Sequence, residues 1–173
     1  MAKYPFCEFC VKTRVLCQKC QGLIDSGQYA WLDVDVVDAL MKLEKKYNLA
    51  DVEYVKSYET DAFIVVVLRG FKRLPRGAQM QLEKDLSSLL GRGVRVVERG
   101  SANEIIAQLV SPARLLTIST SWLPDGTTET VVKIPSRELR RLPIRPEKLQ
   151  EILNRVVGTT IKIDIIREKE IKI

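Results

Sequence analysis

The sequence contains no histidine, the residue that enzymes use most often as a general base and that metal sites use most often as a neutral ligand. It also contains no glycine-rich nucleotide-binding loop, and its neighbouring carboxylates do not form a motif typical of a catalytic pair. We therefore expect no enzymatic activity and no small-molecule substrate. Binding is the expected mode of action.

Long apolar segments are missing as well. No stretch approaches the roughly 18 apolar residues that a membrane-spanning helix needs, and the first residues lack the apolar centre of a signal peptide. We expect a soluble, cytoplasmic protein without a membrane partner. The 173 residues leave room for two modules of about 70 residues and a small attachment.

Cysteine is confined to the first 20 residues, where Cys7 pairs with Cys10 and Cys17 with Cys20 in two CxxC motifs. A CxxC turn directs two sulfur atoms to one point, and two such turns facing each other across a short hairpin complete a tetrahedral site with four thiolates. The pattern predicts a structural zinc knuckle over residues 1–28, with a single iron or an iron–sulfur cluster as the alternative metal centre. Two disulfides would also use all four cysteines, but a reducing compartment disfavours them. A thioredoxin-like redox pair would need a βαβ context, which is absent.

The cysteine segment is too short to bury enough apolar surface to fold by itself. We therefore expect the bound metal to supply its folding free energy. The apolar residues Leu16, Leu23 and Ile24 are then the candidates to dock on the rest of the protein.

The rest of the chain contains one pattern twice, about 67 residues apart. Each copy has a strand, a basic turn with a proline, a helical stretch, a glycine and a further strand. Such an order is typical of a duplicated module, in which each copy buries its sheet in the same way. The predicted domains are residues 29–100 and residues 101–173.

Apolar periodicity and turn residues predict the elements of both copies, and the resulting order is α-β-β-α-α-β in an α+β protein. In the first copy, the predicted helices and strands cover residues 33–47, 52–58, 63–68, 82–90 and 94–97, with a basic segment before the fourth range. In the second copy, they cover residues 103–110, 115–122, 128–134, 146–157 and 161–164, again with a basic segment before the fourth range. Residues 167–173 either extend the last strand or fray.

The order of elements and two phrases of sequence carry a resemblance to a known family. The phrases are LLGRGVRVVE at residues 89–98 and LVSPARL at residues 109–115. Together they resemble the paired type II KH domains of archaeal proteins related to the transcription elongation and termination factor NusA, over about residues 33–166. The four-cysteine segment is similar to the N-terminal zinc knuckle of archaeal NusA-like KH proteins. The resemblance implies binding to single-stranded RNA, either nascent transcript or ribosomal RNA.

The chain departs from the KH pattern in one loop. KH domains hold the RNA backbone with a GXXG loop, whose glycines let backbone amides approach phosphates. The matching segments read KRLPRG at residues 72–77 and RRLPIRP at residues 140–146, and proline has no amide hydrogen. Only Gly77 remains, so we expect arginine side chains to replace the lost amide contacts.

Positive charge is concentrated around these two segments. Residues 69–100 hold eight Lys or Arg against three Asp or Glu, whereas residues 33–68 hold four against eight, and the second copy has the same polarity. A basic face attracts phosphate, and the alternative is a solvated face of surface ion pairs. The predicted RNA-binding residues are Lys72, Arg73, Arg76, Gly77, Arg137, Arg140, Arg141 and Arg145.

Two aromatic residues, Phe71 and Trp122, are candidates for stacking on RNA bases, as in proteins that bind single strands. Trp122 lies shortly before a Pro-Asp-Gly turn, so the alternative is that its ring caps the core.

The sequence thus favours a non-enzymatic RNA-binding protein with a NusA-like role in transcription elongation and termination. One alternative is a ribosome-associated or ribosome-assembly protein that binds ribosomal RNA. A second is a protein-interaction module that has lost KH RNA binding and docks on a partner such as RNA polymerase.

Overall fold

The computed structural model of the chain describes residues 2–167. A first folding unit ends at Arg99, and a second begins at Gly100. Each unit combines helices with one three-stranded sheet, so the predicted α+β class is confirmed. The prediction for the C-terminal tail concerns residues beyond Arg167, which lie outside the described residues.

The first unit carries an N-terminal pair of short helices before its sheet. Its elements are α1 (Glu8–Thr13), α2 (Gln18–Asp25), α3 (Trp31–Leu43), β1 (Glu53–Glu59), β2 (Ile64–Arg69), α4 (Arg76–Leu90) and β3 (Val94–Glu98), with a 3₁₀ turn over Phe71–Arg73. Strand β2 lies in the middle of the sheet, antiparallel to β1 and parallel to β3. Its apolar run is buried along almost its whole length, as expected for a central strand with a parallel neighbour.

Helices α3 and α4 pack against each other and against the sheet of the first unit. Val34 and Leu40 of α3, together with Leu82 and Leu86 of α4, are fully buried in one apolar core. Leu82 and Leu86 are four residues apart and so lie on one face of α4, as the sequence pattern predicts. Leu40 shares a face of α3 with Val37, which lies three residues before it and is also fully buried. Helix α3 begins two residues before its predicted start, because the Asp33 side chain accepts a hydrogen bond from the backbone N–H of Ala30 and so fixes its first turn.

The second unit repeats the arrangement without the N-terminal helices. Its elements are α5 (Ala102–Val110), β4 (Thr117–Trp122), β5 (Thr128–Pro135), α6 (Pro146–Val157) and β6 (Thr160–Ile166), with a 3₁₀ turn over Ser136–Arg141. Strand β5 lies between antiparallel β4 and parallel β6. Ile106 of α5, Leu149 and Leu153 of α6, and Ile134 of β5 are fully buried.

Between its second and third strands, each unit has a 3₁₀ turn and one α-helix, where two helices are predicted. The physical cause is a proline that follows each 3₁₀ turn. Leu74 before Pro75 and Leu142 before Pro143 have extended backbones, with ψ of 148° and 139°. Proline disfavours the helical conformation in the preceding residue, so the first helical stretch ends before it, after three residues in the first unit and six in the second.

Candidate metal centre and nucleic-acid interface

The four cysteines lie together on the two N-terminal helices. Cys7 and Cys17 occupy the N-cap positions directly before α1 and α2, and Cys10 and Cys20 lie in the first turns of these helices. The sulfur atoms all lie within 4.8 Å of one another. The prediction of one four-cysteine cluster is confirmed. The predicted hairpin is wrong, because each CxxC motif starts a helix, whose first turn brings the two sulfurs to the same side.

The two halves of the cluster contact each other in a reciprocal way. The backbone N–H of Cys7 donates to the sulfur of Cys20 at 3.4 Å, and that of Cys17 donates to the sulfur of Cys10 at 3.2 Å. Donors of this kind stabilise a thiolate, the form that binds metals. Hydrogen bonding, chiefly with the Cys20 backbone, lowers the pKa of Cys17 to about 6, whereas burial raises the pKa of Cys20 to about 12.

The dimensions of the cluster suit a metal ion with four thiolate ligands. Metal–sulfur bonds of about 2.3 Å in a tetrahedron place the sulfurs about 3.8 Å apart. Sulfurs within 4.8 Å of one another reach this spacing by small side-chain rotations. The cluster is therefore compatible with a metal ion such as zinc. All four ligands would come from the protein, an arrangement that is typical of a structural site.

The cysteine segment shares the apolar core of the first unit. Leu16, Leu23 and Ile24 are half-buried against this core, as expected, but Phe6 and Val11 are buried more completely, with exposures of 4% and 0%. These two residues are not predicted from the sequence. Their signal is their position next to the CxxC motifs, because a side chain adjacent to a buried cysteine is brought to the core with it.

Polar contacts also fix the N-terminal segment to the first unit. Arg14 after α1 forms ion pairs with Asp35 and, at 3.7 Å, with Asp38 on α3. The backbone of Lys3 also bonds to the chain around the start of β1. Its N–H donates to the Val52 carbonyl oxygen at 3.0 Å, and its carbonyl oxygen accepts from the Tyr54 N–H at 2.9 Å. Through these contacts, the segment that carries the cysteine cluster is bound to both a helix and a strand.

Basic loop 1, defined as residues 71–77, follows β2 in the first unit. Lys72 and Arg73 lie on its 3₁₀ turn, Arg76 and Gly77 lie in the first turn of α4, and all four are exposed. The Glu98 carboxylate accepts hydrogen bonds from the backbone N–H groups of Gly70, at 2.9 Å, and of Lys72, at 3.2 Å. Amides at the start of this loop are therefore already bound by an anion of the protein itself.

Basic loop 2, defined as residues 136–145, occupies the corresponding place after β5. Arg137, Arg140 and Arg141 project from its 3₁₀ turn, and Arg145 lies at the N-cap position of α6; all four are exposed. Glu138 on the same turn is buried, accepts a hydrogen bond from the backbone N–H of Arg114 at 3.2 Å, and lies 3.7 Å from the guanidinium of Arg141.

Few of the cations in the two basic loops form ion pairs with carboxylates of the described residues. Within residues 2–167, only Arg141 among the seven Lys and Arg side chains predicted to bind RNA takes part in an ion pair. Cations elsewhere that do form ion pairs are Lys12, Arg14, Lys42, Lys46, Arg69, Arg92, Lys148 and Lys162. The charge of the two loops is thus left largely uncompensated by carboxylates in the described part of the chain.

The two aromatic candidates have opposite environments. Phe71 is only 5% exposed and belongs to the core of the first unit, so the prediction that it stacks on bases is wrong. Trp122 at the end of β4 is 79% exposed, so the alternative that its ring caps the core is wrong. Its position beside the β4–β5 turn leaves the indole open to solvent.

No helix within residues 2–167 is both long and apolar enough to span a lipid bilayer. No family model and no curated protein matches the chain. Among solved structures, the crystal structure of APE1850, an archaeal protein, is similar with a TM-score of 0.43 and 18% sequence identity, over 60% of this chain and 78% of that chain. This likeness is too small to transfer a function from that protein.

Proposed function

We propose that the chain is a non-enzymatic RNA-binding protein whose two basic loops hold single-stranded RNA, with a NusA-like role in transcription elongation and termination. One observation carries the proposal. In both units, exposed cationic side chains cluster at the same point of the fold, between the second strand and the helix that follows it. A duplicated basic surface with few internal ion pairs favours a polyanion with regularly spaced charges.

The topology supports a type II KH-like interpretation of each unit. A helix and two antiparallel strands are followed by a 3₁₀ turn, a helix and a strand parallel to the middle one, and both units follow this order. In KH domains, the loop after the second strand contacts the RNA backbone. Together with the sequence resemblance to archaeal NusA-like proteins, the shared order of elements supports the same role for the two basic loops.

The chemistry of the loops favours side-chain contacts to phosphate over backbone contacts. Pro75 and Pro143 have no amide hydrogen, and the Glu98 carboxylate occupies the amides of Gly70 and Lys72. Arginine guanidinium groups bind phosphate in a bidentate manner. We therefore expect basic loop 2, which contains four arginines, to contribute more affinity than basic loop 1.

The four-cysteine cluster is proposed to hold one structural zinc ion. Its sulfurs are the soft ligands that zinc prefers, and four protein ligands leave no position open for a substrate or a reactive water. The metal would thus hold the N-terminal segment on the core without taking part in a reaction. Elemental analysis of the purified protein tests this proposal, with about one zinc ion per chain as the expected result.

A salt titration of RNA binding tests the main proposal. In the double variant Arg140→Ala with Arg141→Ala, affinity should fall to a similar extent for different single-stranded sequences. The slope of log affinity against log salt should become shallower by about 1.4 units, since each phosphate contact of a single strand contributes about 0.7. The matched control, Lys42→Ala with Lys162→Ala, removes the same charge from two ion-paired sites and should leave the slope unchanged.

An unchanged affinity and salt slope in the arginine variant would refute RNA binding by basic loop 2. Sequencing of RNA crosslinked to the native protein then separates the transcriptional role from the ribosomal alternative. Enrichment of nascent messenger RNA supports the former, and enrichment of ribosomal RNA supports the latter.

Exposed apolar residues near the cysteines support a second candidate, a protein-interaction module. Phe9 within the first CxxC motif is 72% exposed, and Val15 between the two motifs is 68% exposed. Apolar groups presented on a metal-fixed segment suit a contact with a protein such as RNA polymerase. Two results together would replace the first function by this second one. The double variant Phe9→Ser with Val15→Ser would lose a protein partner, and the double variant Arg140→Ala with Arg141→Ala would bind RNA as tightly as the parent.

A further inference from the structure

The second unit has a surface cavity at the end of its sheet that lies away from basic loop 2. The cavity has a volume of about 400 Å³. Its lining residues come from the start of β5, the last turn of α6 and the start of β6, and they are Thr127, Thr128, Asn154, Gly158, Thr159 and Thr160. None of these residues stands out in the sequence as a candidate for binding.

Trp122 lies across the β4–β5 ladder from one of the residues that line this cavity. In the β4–β5 ladder it pairs with Thr128, one of the lining residues. Side chains directly opposite each other on antiparallel strands point to the same face, with Cβ atoms about 5 Å apart. The indole ring is 79% exposed, so a large apolar surface that the fold does not use lies next to a polar cavity.

The cavity is lined by neutral groups that both donate and accept hydrogen bonds. None of its six lining residues is charged, and four of them are threonines. The Asn154 side-chain oxygen already accepts a hydrogen bond from the backbone N–H of Ile161 at 2.7 Å, which leaves its NH₂ group pointing away from that bond. The C-terminal end of α6 adds carbonyl groups and the negative end of the helix dipole, which disfavours phosphate. A ligand that fits these features is neutral and planar, with hydrogen-bonding edges.

We propose that the site formed by Trp122 and this cavity, called the Trp122 site, binds a nucleobase of single-stranded RNA. The base would stack on the indole ring while its polar edge contacts the threonine hydroxyls and the end of α6. This inference rests on the proposed function, because basic loop 2 of the same unit would hold the RNA backbone. The two sites would then act on different parts of one strand, one through charge and the other through stacking.

The separation of the two sites sets a minimum RNA length. Strand β5 connects them and runs from Thr128 to Pro135, a distance of about 23 Å at about 3.3 Å per residue. A stacked strand advances about 3.4 Å per nucleotide, so about seven nucleotides separate the sites. A strand of about twelve nucleotides reaches both sites, whereas one of about three nucleotides reaches a single site.

The experiment measures binding of oligouridylate of about twelve and about three nucleotides to the full chain and to its Trp122→Ala variant. For the longer RNA, the variant should bind about fivefold or more weakly, with an unchanged salt slope, because stacking releases no counterions. For the shorter RNA, which basic loop 2 binds alone, the affinity should stay the same. The matched control is Trp31→Ala, which removes an indole that is 45% exposed on α3 and should leave both affinities unchanged.

A second measurement observes the stacking directly. In a Trp31→Phe background, the fluorescence of Trp122 should be quenched by the longer RNA, and Trp122→Phe should retain most of the affinity, because phenylalanine also stacks. Equal affinity of the Trp122→Ala variant and the parent for the longer RNA would overturn the Trp122 site while leaving the proposed function intact. A parent protein that binds neither RNA would overturn both.

Discussion

If the cysteine cluster holds the proposed zinc ion, removal of that ion should destabilise the whole first unit and not only its N-terminal segment. Cys10 and Cys20 are 3% and 0% exposed, and they belong to the same core as Phe6, Val11 and Leu40 of α3. Without the metal, the four cysteines would no longer be joined to one ion, and α1 and α2 would lose the constraint that holds them. The perturbation is a zinc chelator or, separately, the double variant Cys17→Ser with Cys20→Ser.

The expected loss follows from the side chains that leave the core with the cysteines. Full burial of a Phe or Val side chain stabilises a protein by about 1.5–3 kcal/mol, so release of Phe6 and Val11 costs about 3–6 kcal/mol. For a unit of this size, each kcal/mol lowers the melting temperature by about 4–8 °C. The melting temperature of the first unit should therefore fall by at least about 12 °C.

Thermal denaturation followed by circular dichroism measures the effect, and hydrogen exchange assigns it to a unit. Amides of α3 should lose protection, whereas those of α6 in the second unit should keep theirs. The chelator should have no further effect on the double cysteine variant, which controls for side effects of the reagent. A fall of less than about 2 °C in a protein shown to have lost its metal would refute the reasoning, because the core would then hold the segment unaided.

Two further predictions concern the stability of the same unit. The Asp85 carboxylate accepts hydrogen bonds from Tyr47 and Lys46, which lower its pKa to about 2. Its contribution to stability is therefore present above about pH 4 and is lost as the pH falls to about 2. The melting temperatures of the parent and of Asp85→Asn should differ at pH 7 and converge between about pH 4 and about pH 2. Gly70→Ala should destabilise the protein far more than Gly126→Ala. Both glycines have φ of +87°, but only a Cβ at Gly70 would clash with a neighbour, the Asp51 carbonyl oxygen at 2.4 Å. Equal losses of unfolding free energy in chemical denaturation would contradict this packing.

Elements with strong local signals could be predicted from the sequence. Helix α6 has the predicted bounds, because Pro146 fits the first turn of a helix and Gly158, with φ of 82°, fits the position after its end. Gly91 ends α4 in the same way, with φ of 71°. In these places the backbone geometry depends on the residue itself, so a single sequence contains the answer.

Features that depend on tertiary contacts could not be predicted in the same way. The CxxC spacing identifies the four sulfurs but not the backbone between them, so a hairpin and a pair of helices fit it equally well. The environments of Phe71, which follows β2, and of Trp122, which ends β4, are decided by which residues the fold brings above each ring.

The Glu98 carboxylate gives the two basic loops different chemical properties. The Glu98 carboxylate is bound to the amides of Gly70 and Lys72, and any phosphate that approaches these amides competes with it. Because Glu98 is part of the same chain, its effective concentration at the amides is about 1 mM or higher. Free phosphate compounds at lower concentrations would not displace it. If basic loop 1 binds a polyanion as proposed, the contacts should therefore come from its exposed Lys and Arg side chains and not from these amides.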